Sequence, residues 1–197
     1  MKLIFISGPS GSGKTTLSNN ILGKIKNGFV LNTDNYYKTG LISKLLALFV
    51  DGYFDRKISF NYKLFRKDFS LIIKNRSSNY KVFYNFKDKK IKKLLFKTKN
   101  IKFLIIEGIF ARDLFSNLSS DDSFFIELQK SKNYCMKKAI KRDLKERGKP
   151  ENIAKKDFLK SWNIYHEKFK NKNIKINSKE FIFTEGTDVD QILKQIF

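Results

Sequence analysis

The chain has 197 residues, enough for one domain with a substantial core, and 41% of them are hydrophobic, with Phe, Ile and Leu prominent. That share excludes a disordered chain despite 30% charged residues, while the single cysteine, Cys135, and single histidine, His166, exclude a disulfide within the chain and a Cys/His zinc site. The formal net charge of +22 draws polyanions, but lysines run along the whole chain and far outnumber arginines; this reads as compositional drift toward Lys, Asn, Ile, Phe and Tyr rather than as a nucleic-acid surface.

Met1–Ile6 is a short apolar stretch without a small-residue cleavage site, so no removable signal peptide is expected. Lys2–Ser7 reads as a buried strand, and Lys14–Lys26 as a helix that follows a Gly-rich turn. Phe29–Thr33 is a second short strand; Leu41–Val50 and Tyr62–Lys74 carry helical spacing. Residues 79–98 alternate Tyr80, Val82, Tyr84 and Phe86, then carry Ile91, Leu94 and Leu95, a small hairpin set apart from the main sheet. Lys102–Ile106 and Phe124–Leu128 are further buried strands. Ser131–Glu146 is a long basic helix broken at Arg147–Pro150, and Ile153–Lys170 resumes helix. Glu180–Phe183 is a late strand and Asp188–Phe197 a closing helix. Strand and helix alternate, which predicts an α/β fold with a parallel sheet covered on both faces. No apolar run approaches the roughly 20 residues of a membrane span.

Gly8-Pro9-Ser10-Gly11-Ser12-Gly13-Lys14-Thr15 fits the phosphate-binding P-loop pattern at every required position, between a strand and a helix. Its glycines let the backbone aim successive N–H groups at phosphate oxygens, Lys14 brings an ammonium to the β- and γ-phosphates, and the Thr15 hydroxyl suits a Mg²⁺ shell. Gly8, Ser10, Gly11, Ser12, Gly13, Lys14, Thr15 and Thr16 are the candidate ATP- or GTP-binding residues. Asp34, just past the second strand, sits where a doubly wound sheet faces its ligand; a carboxylate there can take the proton of an attacking hydroxyl, or simply cap a turn. Glu107 ends the strand Phe103–Ile106 before Gly108, a position that binds Mg²⁺ beside a P-loop, or is only a solvated strand end. Arg142 and Arg147 are two of six arginines in a lysine-dominated chain; they can close over a transferring phosphoryl group, or serve a helix C-terminus that stops at Gly148.

In the order GPSGSGKTT, DNYYK, FDRKISFN, YNF, IIEGIFA and RDLKERGK, from residue 4 to about residue 150, the chain resembles the uridine kinase family, within the group that includes phosphoribulokinase and nicotinamide riboside kinase. The resemblance implies one P-loop NTPase-type domain over 1–197, a five-stranded parallel sheet flanked by helices, with a helical lid at about 142–155 and the hairpin 79–98 over the acceptor site. It implies Asp34 as catalytic base toward a nucleoside 5′-hydroxyl, Thr15 and Glu107 as Mg²⁺ residues, and Lys14, Arg142 and Arg147 on the phosphates. Tyr37, Asp55, Tyr84 and Phe86 would line the nucleoside pocket, Asp55 toward ribose hydroxyls. Lys89 stands where the family has a histidine that reads the pyrimidine edge, Asn85 where it has an acid, and Lys149 where it often has arginine. The segment between Lys38 and Asp55 is unusually apolar.

The expected activity is transfer of the γ-phosphoryl of ATP or GTP to the 5′-hydroxyl of uridine or cytidine. The alternatives are another hydroxyl acceptor (another riboside, pantothenate or a sugar phosphate) and a basic nucleic-acid-binding NTPase. The expected setting is cytoplasmic, with a nucleoside triphosphate and a small acceptor as partners, a homo-oligomer in view of the family, and neither membrane nor nucleic acid. Cys135, Met136, Ala139 and Ile140 read as the inner face of a helix; Trp162, Tyr165 and Phe169 read as packing, and Lys87–Lys93 as a solvated face.

Overall fold

A computed structural model describes residues 1–86, 88–170, 179–184 and 189–196. Its centre is a parallel sheet of β1 (Lys2–Ser7), β2 (Gly28–Asn32), β5 (Phe103–Glu107), β6 (Ser123–Leu128) and β7 (Glu180–Phe183), in the order β2-β5-β1-β6-β7. The central strands are apolar throughout because both their faces are covered. Alternation along β1 sends Leu3 and Phe5 into a large aromatic core and Ile4 and Ile6 into an aliphatic one. On the aliphatic side lie α1 (Lys14–Lys24) and α7 (Val189–Ile196), which contribute Leu17, Ile21, Leu193 and Ile196. The register pairs Asn32 and Ile6 with Glu107, and Ser7 with Glu127, so these strand ends form one edge.

The aromatic side is covered by α3 (Tyr62–Asn75), through Phe65, Phe69 and Ile72, and by α4 (Ala111–Leu118), through Leu114 and Phe115. Helix α4 was not expected from the sequence: it is eight residues long and its Arg112, Asp113, Ser116 and Asn117 interrupt the apolar signal. The hairpin of β3 (Ser78–Asn85) and β4 (Lys90–Thr98) is a separate two-stranded antiparallel sheet, as the alternation predicts. Helices α5 (Lys132–Arg147) and α6 (Glu151–Lys170) pack through Cys135, Ala139 and Phe158, with Met136 and Trp162 against them. Cys135 is therefore core, and His166 is an exposed ring against Trp162, 4.2 Å between centroids. Tyr165 joins the aromatic core, whereas the side chain of Phe169, residue Lys87 and the expected helix ends Asp188 and Phe197 lie outside the described residues.

Helix α2 (Leu41–Phe49) forms where the spacing placed it, but its Leu41, Ile42, Leu45, Leu48 and Phe49 are all exposed and only Ser43 is buried. Three single-turn 3₁₀ segments, Thr33–Asn35, Tyr53–Asp55 and Lys57–Ser59, shape the loops around it. No described helix is long and apolar enough to cross a membrane.

Candidate active site

The loop between β1 and α1 approaches α5 so closely that a Cβ on Gly11, at φ +78°, would lie 2.1 Å from the Cys135 carbonyl oxygen. Helix α1 opens at Gly13 without a side-chain cap, so its first N–H groups are not taken by one. Lys14 is buried and its Nζ donates to the carbonyls of Gly8 and Pro9 at 2.9 Å. Burial lowers its pKa, opposed by the charges of Asp34 and Glu107.

Asp34 lies in the 3₁₀ turn Thr33–Asn35, which the Asn32 side chain caps by accepting from the Asp34 N–H at 2.7 Å. Its Oδ1 is buried with no hydrogen-bond partner among the described residues. Gly108 makes this placement feasible. At φ +137°, a Cβ there would lie 1.9 Å from Thr33 Oγ1 and 3.2 Å from Asp34 Oδ1. The Glu107 carboxylate, 2% exposed, accepts from Thr15 Oγ1 at 3.1 Å and from Asn32 Nδ2 at 2.6 Å. Burial, and next the charge of Asp34, push its pKa up to about 7. Two crowded carboxylates and a hydroxyl are hard oxygen donors, a set that fits a divalent cation sharing its shell with phosphate and water.

One cavity of about 560 Å³ joins the loop to the opposite rim: Ser10, Lys14 and Asp34 line it, as do Tyr37, Asp55, Phe86, Lys89, Arg142 and Arg147. Thr15 and Glu107 lie on a smaller adjoining cavity of about 190 Å³ together with Asn32. Tyr84 departs from its expected place on the wall. It is 1% exposed and lies beneath Tyr37 and Phe86, at centroid distances of 5.2 and 5.0 Å, because β3 turns alternate side chains inward. Asp55 accepts from Ser161 Oγ of α6 at 2.7 Å. Asn85 is tied into the hairpin turn by Asp88, donating to its Oδ2 at 2.9 Å and accepting from its N–H at 3.2 Å; Lys89 follows at φ +51°.

Arg142 donates to Ser10 Oγ at 3.3 Å, and the Arg147 guanidinium lies 4.1 Å from the Phe86 ring centroid. Both are bound to Asp143, a buried carboxylate that has no role in the sequence reading. Its place four residues before Arg147 was a usable signal. The bonds of Asn32 to Glu107 and of Ser161 to Asp55 carried none, since each joins residues distant in sequence.

The phosphoribulokinase / uridine kinase family model matches residues 3–171. A uridine kinase of Borrelia duttonii is 29% identical over 171 residues, 86% of this chain and 80% of that protein. One of Ureaplasma parvum is 32% identical over 152 residues, 75% and 71% respectively. In fold, the chain is similar to D-glycerate 3-kinase from Cryptococcus neoformans (TM-score 0.62, 14% identity, 93% of this chain and 86% of that one) and to YFH7 of Saccharomyces cerevisiae (0.65, 10%, 94% and 93%). With a nucleotide cradle and a second rim around one cavity, the chain belongs to the phosphoribulokinase / uridine kinase family and is an ATP-dependent phosphotransferase with a hydroxyl acceptor.

Proposed function

We propose that this protein transfers the γ-phosphoryl of ATP to the 5′-hydroxyl of a pyrimidine nucleoside, uridine or cytidine. The observation that carries the reading is the single cavity lined by Ser10 and Lys14 on one side and by Tyr37, Asp55 and Phe86 on the other. An aromatic shelf suits a base, and a carboxylate suits a ribose diol. Its volume suits a small ligand beside a triphosphate. The uridine kinases among its relatives support the same acceptor.

In this reading Asp34 accepts the proton of the attacking hydroxyl, with its unpartnered Oδ1 as the acceptor atom. Lys14 turns from the carbonyls of Gly8 and Pro9 to the phosphates, and Arg142 and Arg147 stabilise charge on the transferring group. Thr15 and Glu107 would hold Mg²⁺. When bound, that ion neutralises phosphate charge. Residues 142–155 act as the lid that excludes water, so that transfer prevails over hydrolysis.

A second reading, another hydroxyl acceptor, is favoured by one observation: Lys89 lines the cavity while Asn85 is engaged by Asp88. Neither position then offers what the resemblance has there, an acid and the imidazole that reads the pyrimidine edge. The test is ADP release from Mg·ATP against uridine, cytidine, other ribosides, pantothenate and ribulose 5-phosphate. Turnover on uridine or cytidine alone is expected, and turnover only elsewhere replaces the acceptor. Asp34→Asn should lower kcat by about 10²- to 10⁴-fold while ATP stays bound; full turnover in that variant overturns the assignment of the base.

A further inference from the structure

We propose that Asp143 is a positioning residue that gathers Arg142, Arg147 and Lys149 into one cationic unit, linking the phosphate loop to the acceptor rim. The inference rests on the phosphotransfer reading for what the unit does, and on geometry for its existence. Asp143 lies on the inner face of α5 and is 5% exposed. Its Oδ1 accepts from Arg142 Nε at 3.0 Å and Nη2 at 2.8 Å. Arg147 Nη1 donates to its Oδ2 at 3.4 Å, and Lys149 Nζ lies 3.5 Å from the same oxygen. The Lys149 N–H also donates to the Asp143 carbonyl, at 3.2 Å, which fixes the turn after α5.

Each cation has a second engagement, and the three lead in different directions. Arg142 reaches Ser10 in the phosphate loop. Arg147 lies over Phe86 of the hairpin. Lys149 pairs with Asp157 of α6 at 2.6 Å. One buried carboxylate thus holds three positive charges that would otherwise repel one another and spread into solvent. A network of this kind couples nucleotide, acceptor and lid without touching the reacting atoms. Movement of Arg147 with an acceptor against Phe86 is felt by Arg142 at the phosphates through the shared carboxylate.

Binding of a non-hydrolysable ATP analogue with Mg²⁺ tests the role without an acceptor. Asp143→Asn should weaken that binding on the order of tenfold, because the cations no longer converge. Placed on the Arg142→Ala/Arg147→Ala background, the same change should add little further loss, the mark of a residue that acts through those arginines. Asp143→Glu should recover much of the affinity, and it carries the test if the Asn variant fails to fold. With Mg·ATP and uridine, Asp143→Asn should also lose about 10²-fold in kcat, through misplacement of the cations. Unchanged or tighter analogue binding, or losses that add fully to those of the arginine variant, overturn the proposal. Failure of the wild type to phosphorylate uridine speaks against the acceptor reading and leaves the binding cycle decisive for Asp143.

Discussion

Asp34 is placed by its neighbours. Gly108 leaves room for Thr33, Asn32 caps the turn, and Glu107 stands alongside with its carboxyl held up to about 7 by burial and by Asp34 itself. Gly108→Ala inserts a methyl at 1.9 Å from Thr33 Oγ1 in a left-handed backbone conformation, so the turn must shift. We expect kcat to fall about 10²-fold with ATP affinity little changed, since the shift moves Asp34, the proposed base, and not the loop. Equal losses in both would show that the loop moves too. Asp55→Ala should raise the KM for the acceptor more than it lowers kcat if, as proposed, the residue serves the acceptor and not the triphosphate. At this scale Lys14, Asp34 and Glu107 were legible because their motifs need those residue types at those spacings. The bonds of Asn32 to Glu107 and of Ser161 to Asp55 were not, because those partners are set by the fold, whereas Asp143 was within reach through its spacing from Arg147.

Between elements, the hairpin is seated on α3 through one buried carboxylate. Asp68, 4% exposed, accepts from Tyr36 at 3.1 Å and from Tyr80 at 2.6 Å, which ties α3 and β3 to the loop that carries Asp34. Tyr80→Phe should cost about 1–2 kcal/mol in denaturant unfolding, the loss of a hydrogen bond to a charged group. A neutral result would mean that the bond does not hold the hairpin. Desolvation, then the hydrogen bond to Asp68, push the Tyr80 phenol up to about 12, and burial does the same for Tyr84. Unfolded phenols ionise near about 10, so above that pH the unfolded chain binds fewer protons and stability falls as pH rises toward 12. Absorbance at 295 nm paired with unfolding at successive pH values measures this; flat stability over that range would contradict it. The hairpin and α2 were both legible as elements. The exposure of the apolar side of α2 was not, since spacing identifies a face without saying what covers it.

For the whole molecule, a formal charge of +22 sets a compact state against its own field. The pairs that offset it are local, and in several one or both partners are exposed, as in Lys24 with Asp190 and Lys57 with Asp113. Raising NaCl from about 10 to 150 mM should therefore raise Tm by a few degrees, as the Debye length shortens to about 8 Å. A fall in Tm would mean that attractive pairs outweigh the repulsion. By itself the sequence determined the phosphate-loop motif, the parallel sheet and the placing of Asp34 just past the end of β2. A P-loop requires its glycines and lysine in fixed order, and strands buried on two faces must be continuously apolar. The tertiary structure alone decided that Tyr84 lies beneath Tyr37 and Phe86, that Arg142 reaches Ser10 of the phosphate loop while Arg147 lies over Phe86, and that Asp55 answers to Ser161. Those relations join residues on separate elements, and only packing brings the elements together.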